Sequence, residues 1–423
     1  MFSNMPTEFR NLGAIAALAI VSCLPARSPA QEDFVLRSEA TQAMVTISVL
    51  PFDGIDLLPD RKSLATPHEV LSADLDFSGR FEVAKPPADG WDSASLVGRK
   101  VSVLATGLVT RGASKDEIGL RLRLQDAASK DILVEKNYAG RARDIRRLVH
   151  RFSDDVVFQL FGERGIATTR IAFVRGKPGH KEIWTMDYDG FGAEPWTSNG
   201  SINLSPTWDR QGGLVWSSYM GGNGAKLWRQ LPGEKPRLLL PSAPGMQISA
   251  STSPLDGEIA MGISDGEQTE IWRGQPEARP MRLTYSPALE VSPSWSPNGW
   301  EIAFTSDRTG EPQVYAMDRE GTNIRRITWT GIYNDQPSWS PAGNRIAFAR
   351  LAGGFQVLTI APDGTDEVWI GPGEQPRWSP DGQHIVFTRA GGRSSDIWVC
   401  RADGSRPRAL TFFGDASMPS WSR

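Results

Sequence analysis

Along the C-terminal two thirds of the chain, short apolar runs alternate with turn residues, and the whole pattern repeats. Ile171-Ala172-Phe173, Leu214-Val215-Trp216, Ile259-Ala260-Met261, Ile302-Ala303-Phe304, Ile346-Ala347-Phe348 and Ile385-Val386-Phe387 each read as a buried strand. A third strand follows at Ile183-Trp184, Leu227-Trp228, Ile271-Trp272, Val314-Tyr315, Val357-Leu358 and Ile397-Trp398. Before most of these pairs stands a Pro-Ser-Trp-Ser-Pro-x-Gly stretch, clearest at Pro293–Gly299, Pro337–Gly343 and Pro376–Gly382, with shorter copies at Pro206–Trp208 and Pro419–Ser422. A worn copy carries Thr252 where the others have Trp. From Trp208 the marker recurs at Thr252, Trp295, Trp339, Trp378 and Trp421, at intervals of 44, 43, 44, 39 and 43 residues. A period of roughly 40–45 residues built from four short strands marks a β-propeller, and the repeats predict six blades over residues 166–423. Trp208, Trp295, Trp339, Trp378 and Trp421 supply the large apolar surface between blades.

Upstream, over residues 43–162, the periodicity mixes helix and strand. Met44–Leu50 is a β-branched run ended by Pro51, and Thr66-Pro67-His68-Glu69 is a capping box with proline at the first helical position. Phe81, Arg99–Leu108, Ile118–Leu124 and Ile132–Tyr138 predict strands. Ile145, Leu148, Val149, Phe152, Val156 and Leu160 fall on one face of a helix that stops at Gly162. The fold class expected is an α+β N-terminal domain followed by an all-β six-bladed β-propeller.

Ring closure is also legible. The strand at Ile171 lacks a Pro-Ser-Trp partner before it, and Pro419-Ser420-Trp421-Ser422 has no strand after it. Residues 417–422 are therefore expected to form the innermost strand of the blade that contains Ile171.

Strands in a blade alternate in direction, so the Ser-Pro-x-Gly and Asp-Gly turns share one face. The crossings between blades share the other. Residues just before Pro-Ser-Trp are then expected to rim the central channel: Asn203, Gln247, Glu290, Asn334, Asp335, Glu374 and Asp415, a polar and largely acidic set. Charge reversal at Glu290 with Asp335 is expected to weaken partner binding at no cost in thermal stability, and Asp381→Lys on the turn face to leave binding alone.

The chain has 423 residues, enough for two domains, and a formal net charge of −3, which gives no basic surface for nucleic acid. Glycine (42), proline (30) and tryptophan (15) are abundant, as turn-dense β structure requires. At the N-terminus Arg10 precedes an apolar run from Leu12 to Val21, and Ser28-Pro29-Ala30 offers small residues for cleavage. This predicts a secretory signal peptide over 1–30, too short for a spanning helix. A rival lies inside it, since Ile20-Val21-Ser22-Cys23 has the pattern of a lipoprotein processing site with Cys23 lipidated. Residues 31–42 lack periodicity and read as a mobile arm.

Candidate chemistry is sparse. Gly262-Ile263-Ser264-Asp265-Gly266 matches a nucleophile elbow, but a strand follows where that motif needs a helix. The four histidines are scattered: His68 and His150 lie on helices and are expected to be solvated or half-buried, while His180 and His384 lie in turns, His384 on the solvent side. No zinc site, nucleotide loop or other cofactor site is expected, and Cys400 reads as a small packed residue.

Three stretches then carry a family resemblance. They are Ile47-Ser48-Val49-Leu50-Pro51-Phe52 with Ala73-Asp74-Leu75 and Ser78-Gly79-Arg80-Phe81; Arg170-Ile171-Ala172-Phe173 with Asp187-Tyr188-Asp189-Gly190; and Ala303–Asp307 with Pro312-Gln313-Val314-Tyr315 and Arg326–Trp329. In this order, behind an export signal, they resemble the TolB family of the bacterial Tol–Pal system. The resemblance implies a periplasmic, non-enzymatic and monomeric adaptor between an inner-membrane TolA-like protein and the outer-membrane lipoprotein Pal, supporting outer-membrane integrity and cell division. It implies that Pal docks at the channel mouth. It implies further that the mature N-terminal segment, here beginning Gln31, Glu32, Asp33, Phe34 and Val35, meets TolA, although this stretch is not recognisably the family's own. Two rivals are a serine-peptidase-like propeller, which would need a hydrolase domain and a Ser/His/Asp set, and a sugar- or peptidoglycan-binding propeller.

Overall fold

The computed structural model describes residues 44–58, 65–86 and 98–423. The signal peptide with Cys23 and the arm at 31–42 lie outside the described residues. Among the described residues the N-terminal region is a five-stranded sheet with two long helices. β1 (Val45–Val49) runs parallel to both β2 (Phe81–Val83) and β3 (Val103–Arg111), and β4 (Glu117–Asp126) and β5 (Ile132–Arg141) add antiparallel strands, giving the order β2-β1-β3-β4-β5. Helix α1 (Pro67–Phe77) begins where the sequence signals it. The Glu69 carboxylate accepts hydrogen bonds from the Thr66 backbone N–H and hydroxyl, both at 2.7 Å. Helix α2 (Ile145–Phe161) buries Val149, Phe152, Val156 and Leu160 and ends at Gly162, whose φ of 71° is the left-handed C-terminal cap glycine favours.

Six four-stranded antiparallel sheets follow and form the ring. Blade 1 takes its three outer strands from residues 170–195 and its innermost strand from Ala416–Trp421, with Ser420 opposite Ala172 and Trp421 opposite Ile171. The expected closure is thus present. The innermost strands of blades 2 to 6 are Asn203–Trp208, Met246–Thr252, Glu290–Trp295, Asn334–Trp339 and Glu374–Trp378.

The repeated residues account for the packing between blades. The five tryptophans are 5–8 % exposed. The indole N–H of Trp208 donates to the Ser420 carbonyl and that of Trp378 to the Ser338 carbonyl, each at 3.0 Å, so each pins the preceding blade. The Ser of the repeat works the same way, since the Trp339 backbone N–H donates to Ser294 Oγ at 2.9 Å. Proline is tolerated because the innermost strand is an edge strand, with no ladder partner on its channel side. The turn glycines bind blades as well: a Cβ on Gly190, Gly321 or Gly404 would stand 2.5–2.6 Å from the carbonyl oxygen of Leu410, Leu283 or Ile370 in the preceding blade. Glycine is required there for contact as well as for its positive φ.

The N-terminal region sits on the turn face, over blades 1 and 6. Phe77 stacks on His384 with ring centroids 4.0 Å apart, and Arg406 pairs with Asp76 at 3.0 Å. Buried beneath, Asp74 accepts a hydrogen bond from Tyr188 Oη at 2.6 Å and lies 2.7 Å from His150 Nδ1. Two expectations change here. His150 and His384 are 2 % and 3 % exposed rather than solvated, because the domain interface covers them. Asp381 is no free turn-face carboxylate: Ser379 Oγ donates to it, it lies 3.8 Å from His384, and it lines the cleft against the N-terminal region. Among the described residues no helix is long and apolar enough to cross a membrane.

Candidate partner-binding face of the ring

Each innermost strand carries a β-bulge at the same register position. The bulged residue is left-handed in all six blades: Ser205, Ser249, Ser292, Gln336, Gln375 and Met418 have φ between 52° and 59°. Non-glycine residues adopt this conformation at a cost, and six in one ring mark it as a feature the repeat maintains. The bulge breaks the simple in-out alternation, so residues one position apart go to different environments.

That division splits the seven expected rim residues. Asn203, Gln247, Glu290 and Asn334 turn inward, toward their own blade or the preceding one, and are at most 1 % exposed. Asn203 accepts from the Trp216 indole N–H and donates to the Lys181 carbonyl; Gln247 accepts from the Leu227 N–H. Asn334 donates to Gln313 and accepts from Arg350, both at 2.8 Å, and Glu290 pairs with Arg308. These four brace the blades. Glu290 reversal would therefore strip Arg308 of its partner, which contradicts the expectation of unchanged thermal stability. Asp415 is half-buried and bonded to Arg175 at 2.8 Å.

Asp335 and Glu374 occupy the next register position and are only partly buried. The Asp335 carboxylate accepts from the Thr305 hydroxyl at 2.8 Å and from the Ser292 and Tyr333 hydroxyls at 3.3 Å. Burial and the neighbouring Asp335 charge push Glu374 above the usual carboxylate range. The Tyr333 phenol is pushed up by burial and by the same two carboxylates. Two interacting acids therefore sit on this side of the channel.

The crossing segments around them expose large apolar side chains that the strand pattern does not reveal. Tyr285, Trp329, Ile332 and Phe412 are 79, 69, 69 and 85 % exposed. They stand on pinned loops. Glu270 accepts from the Thr284 hydroxyl and from the Ser286 N–H, and Asp396 accepts from the Thr411 hydroxyl and the Phe413 N–H. Arg282 and Arg326 lie 4.7 Å from the ring centroids of Tyr285 and Trp329. A signal was available: the acid near the start of the third strand recurs as Glu182, Glu270 and Asp396, with a threonine 15, 14 and 15 residues on. The result is a rigid face with exposed aromatic rings and an acidic opening, which suits protein docking.

The motifs that invite a catalytic reading take other roles. Ser264 ends a strand and the chain turns at Gly266 into the strand Thr269–Gly274, so the elbow-like motif is a hairpin. Among the described residues no group of His, Cys, Asp and Glu could hold a metal ion. Cys400 is buried and its thiol is pushed up to about 12, first by burial and then by Asp403.

Against known proteins, the family model described as the TolB beta propeller domain matches residues 158–423. The chain belongs to the TolB β-propeller family. It is 32 % identical over 329 residues to the Tol-Pal system protein TolB of Desulfosudis oleivorans, covering 74 % of this chain and 64 % of the relative. It is 36 % identical over 217 residues to the TolB of Geobacter sulfurreducens, covering 48 % and 49 %. The chain thus spans about half to two thirds of the length of these curated relatives. The crystal structure of TolB from Acinetobacter baumannii superposes with a TM-score of 0.73 at 22 % identity, over 90 % of this chain and 96 % of that one. That match establishes the TolB fold across both the N-terminal region and the ring.

Proposed function

We propose that this chain is a periplasmic, non-enzymatic adaptor of the Tol–Pal system, holding a Pal-like peptidoglycan-associated lipoprotein on the crossing face of its ring. The observation that carries the reading is that exposed Tyr285, Trp329, Ile332 and Phe412 lie on the crossing segments of a TolB-family propeller, on the face where the acidic pair Asp335 and Glu374 opens. Aromatic anchors around a charged centre are the usual composition of a protein-binding hot spot. In this reading Asp335 and Glu374 meet basic or hydrogen-bond-donating groups of the partner, while the buried Asn203, Gln247, Glu290 and Asn334 hold the loops that carry the anchors. The arm, with Gln31, Glu32, Asp33, Phe34 and Val35, binds a TolA-like inner-membrane protein. Together the two contacts support outer-membrane integrity and constriction at division.

The test is co-purification. Mature protein should retain the soluble domain of the Pal-like lipoprotein from the same genome, and protein lacking residues 31–42 should keep that binding while losing a TolA-like partner. Retention on peptidoglycan with no affinity for the lipoprotein would favour the sugar-binding alternative, for which exposed Trp329 could serve as a stacking surface.

A further inference from the structure

We propose that the turn-face end of the channel is an anion site, formed by Arg377 and Arg423 beside Thr252 with Arg210 close by, that takes a ligand carboxylate or phosphate. It lies at the opposite end of the channel from the partner face and does not depend on that reading. A cavity of about 140 Å³ opens there, lined by the repeated tryptophans together with Thr252, Arg377 and Arg423. It lies where the ring departs from its own symmetry: five blades fill this position with an indole and the sixth carries the much smaller Thr252. Arg423 Nη2 lies 3.4 Å from the Thr252 carbonyl, placing its guanidinium at the gap.

The charges at this gap have no ion-pair partner among the described residues. Several arginines elsewhere in the ring are paired, Arg175 with Asp415, Arg229 with Asp209, Arg273 with Glu258 and Arg319 with Asp256, while others such as Arg401 and Arg408 in the cleft against the N-terminal region are not. Among the described residues none of Arg210, Arg377 and Arg423 has an acidic side chain within ion-pair distance. The bonds they make go to carbonyls: Arg377 to its neighbour Pro376 and Arg210 to Leu255, both at 2.8 Å. Burial draws Arg377 down to about 10 against the opposing pull of Asp335. Arg423 keeps an exposed outer surface, yet desolvation and then the Arg210 charge lower it too. Desolvated like charges are unfavourable until an anion joins them, and the guanidinium fork matches the oxygens of a carboxylate or phosphate. Hydroxyls of Thr207, Ser251 and Ser422 also line the cavity and can donate to such a group.

The test uses the mature chain with two probes, inorganic phosphate and N-acetylglutamate, titrated calorimetrically at constant ionic strength. Saturable binding of at least one is expected, the stronger probe showing which source the site prefers. Arg377→Gln and Arg423→Gln should each weaken it at least tenfold. Thr252→Trp, which restores the residue the other blades carry, should abolish it by filling the gap. Circular dichroism melts in chloride separate folding failure from loss of binding, and Arg423→Gln and Thr252→Trp stand in for Arg377→Gln should that variant not fold. No saturable binding of either probe, or equal binding by Thr252→Trp and Arg423→Gln, would overturn the proposal.

Discussion

His150 Nδ1 of α2 lies 2.7 Å from Asp74 Oδ2 of α1, and Tyr188 of blade 1 closes the group by donating to the other Asp74 oxygen. Asp189 adds a further negative charge and Arg146, paired with Asp189, a positive one. The joint between the N-terminal region and the ring is therefore a buried, proton-holding cluster.

Its pH dependence has a definite sign. Burial raises Asp74, while the Asp74 and Asp189 charges outweigh burial and raise His150, so the folded pair keeps a proton that the unfolded chain releases above the ordinary histidine value of 6.5. The His150 contribution is then fully present below pH 6.5 and is lost as pH rises through the folded value, by at most about 1.4 kcal/mol per pH unit. Chemical denaturation of the wild type between pH 6 and 9 should show that fall. His150→Gln should flatten it.

Ring closure depends on the last strand. Trp421 is buried and its indole donates to Thr169 Oγ1 at 2.8 Å. Trp421→Ala should cost roughly 3–5 kcal/mol, and deletion of residues 419–423 should lower the melting temperature further. A deletion variant that melts with the wild type would show that blade 1 does not need its innermost strand.

Glu270 is 3 % exposed and holds Arg282, the Thr284 hydroxyl and the Ser286 N–H together. Replacing it with alanine leaves those groups unpaired, at a cost of about 2–4 kcal/mol. Hydrogen exchange at Ser286 should accelerate in the variant, and Tyr285 should lose its fixed position over Arg282.

How much was legible follows from how local each signal is. The period of the Trp marker, the Thr66–Glu69 capping box and the unmatched Pro419–Ser422 strand are written in neighbouring residues, and they gave six blades, α1 and the closure. The rim was only half legible. Two-fold alternation could not tell Asn334 from Asp335, because the left-handed bulge at Gln336 and its five counterparts resets which side chains enter the blade. His150, His384 and Asp381 were misplaced because their burial comes from the packing of α1 and α2 on blades 1 and 6, a contact between segments as far apart as Asp76 and Arg406. No periodicity within either segment records it.

The central claim is that the crossing face, with Asp335 and Glu374 at its opening and Trp329 on one of its crossing segments, receives the partner. Its most direct test is the dissociation constant of the Pal-like lipoprotein's soluble domain for three proteins: the wild type, a rim variant carrying Asp335→Lys, Glu374→Lys and Trp329→Ala, and a turn-face control, Lys235→Glu, at an exposed residue of blade 2. Losing an aromatic anchor and reversing two charges at the centre of an interface should weaken binding at least tenfold, while the control binds as the wild type does. Undiminished binding by the rim variant, with loss in the control, would place the partner on the opposite face.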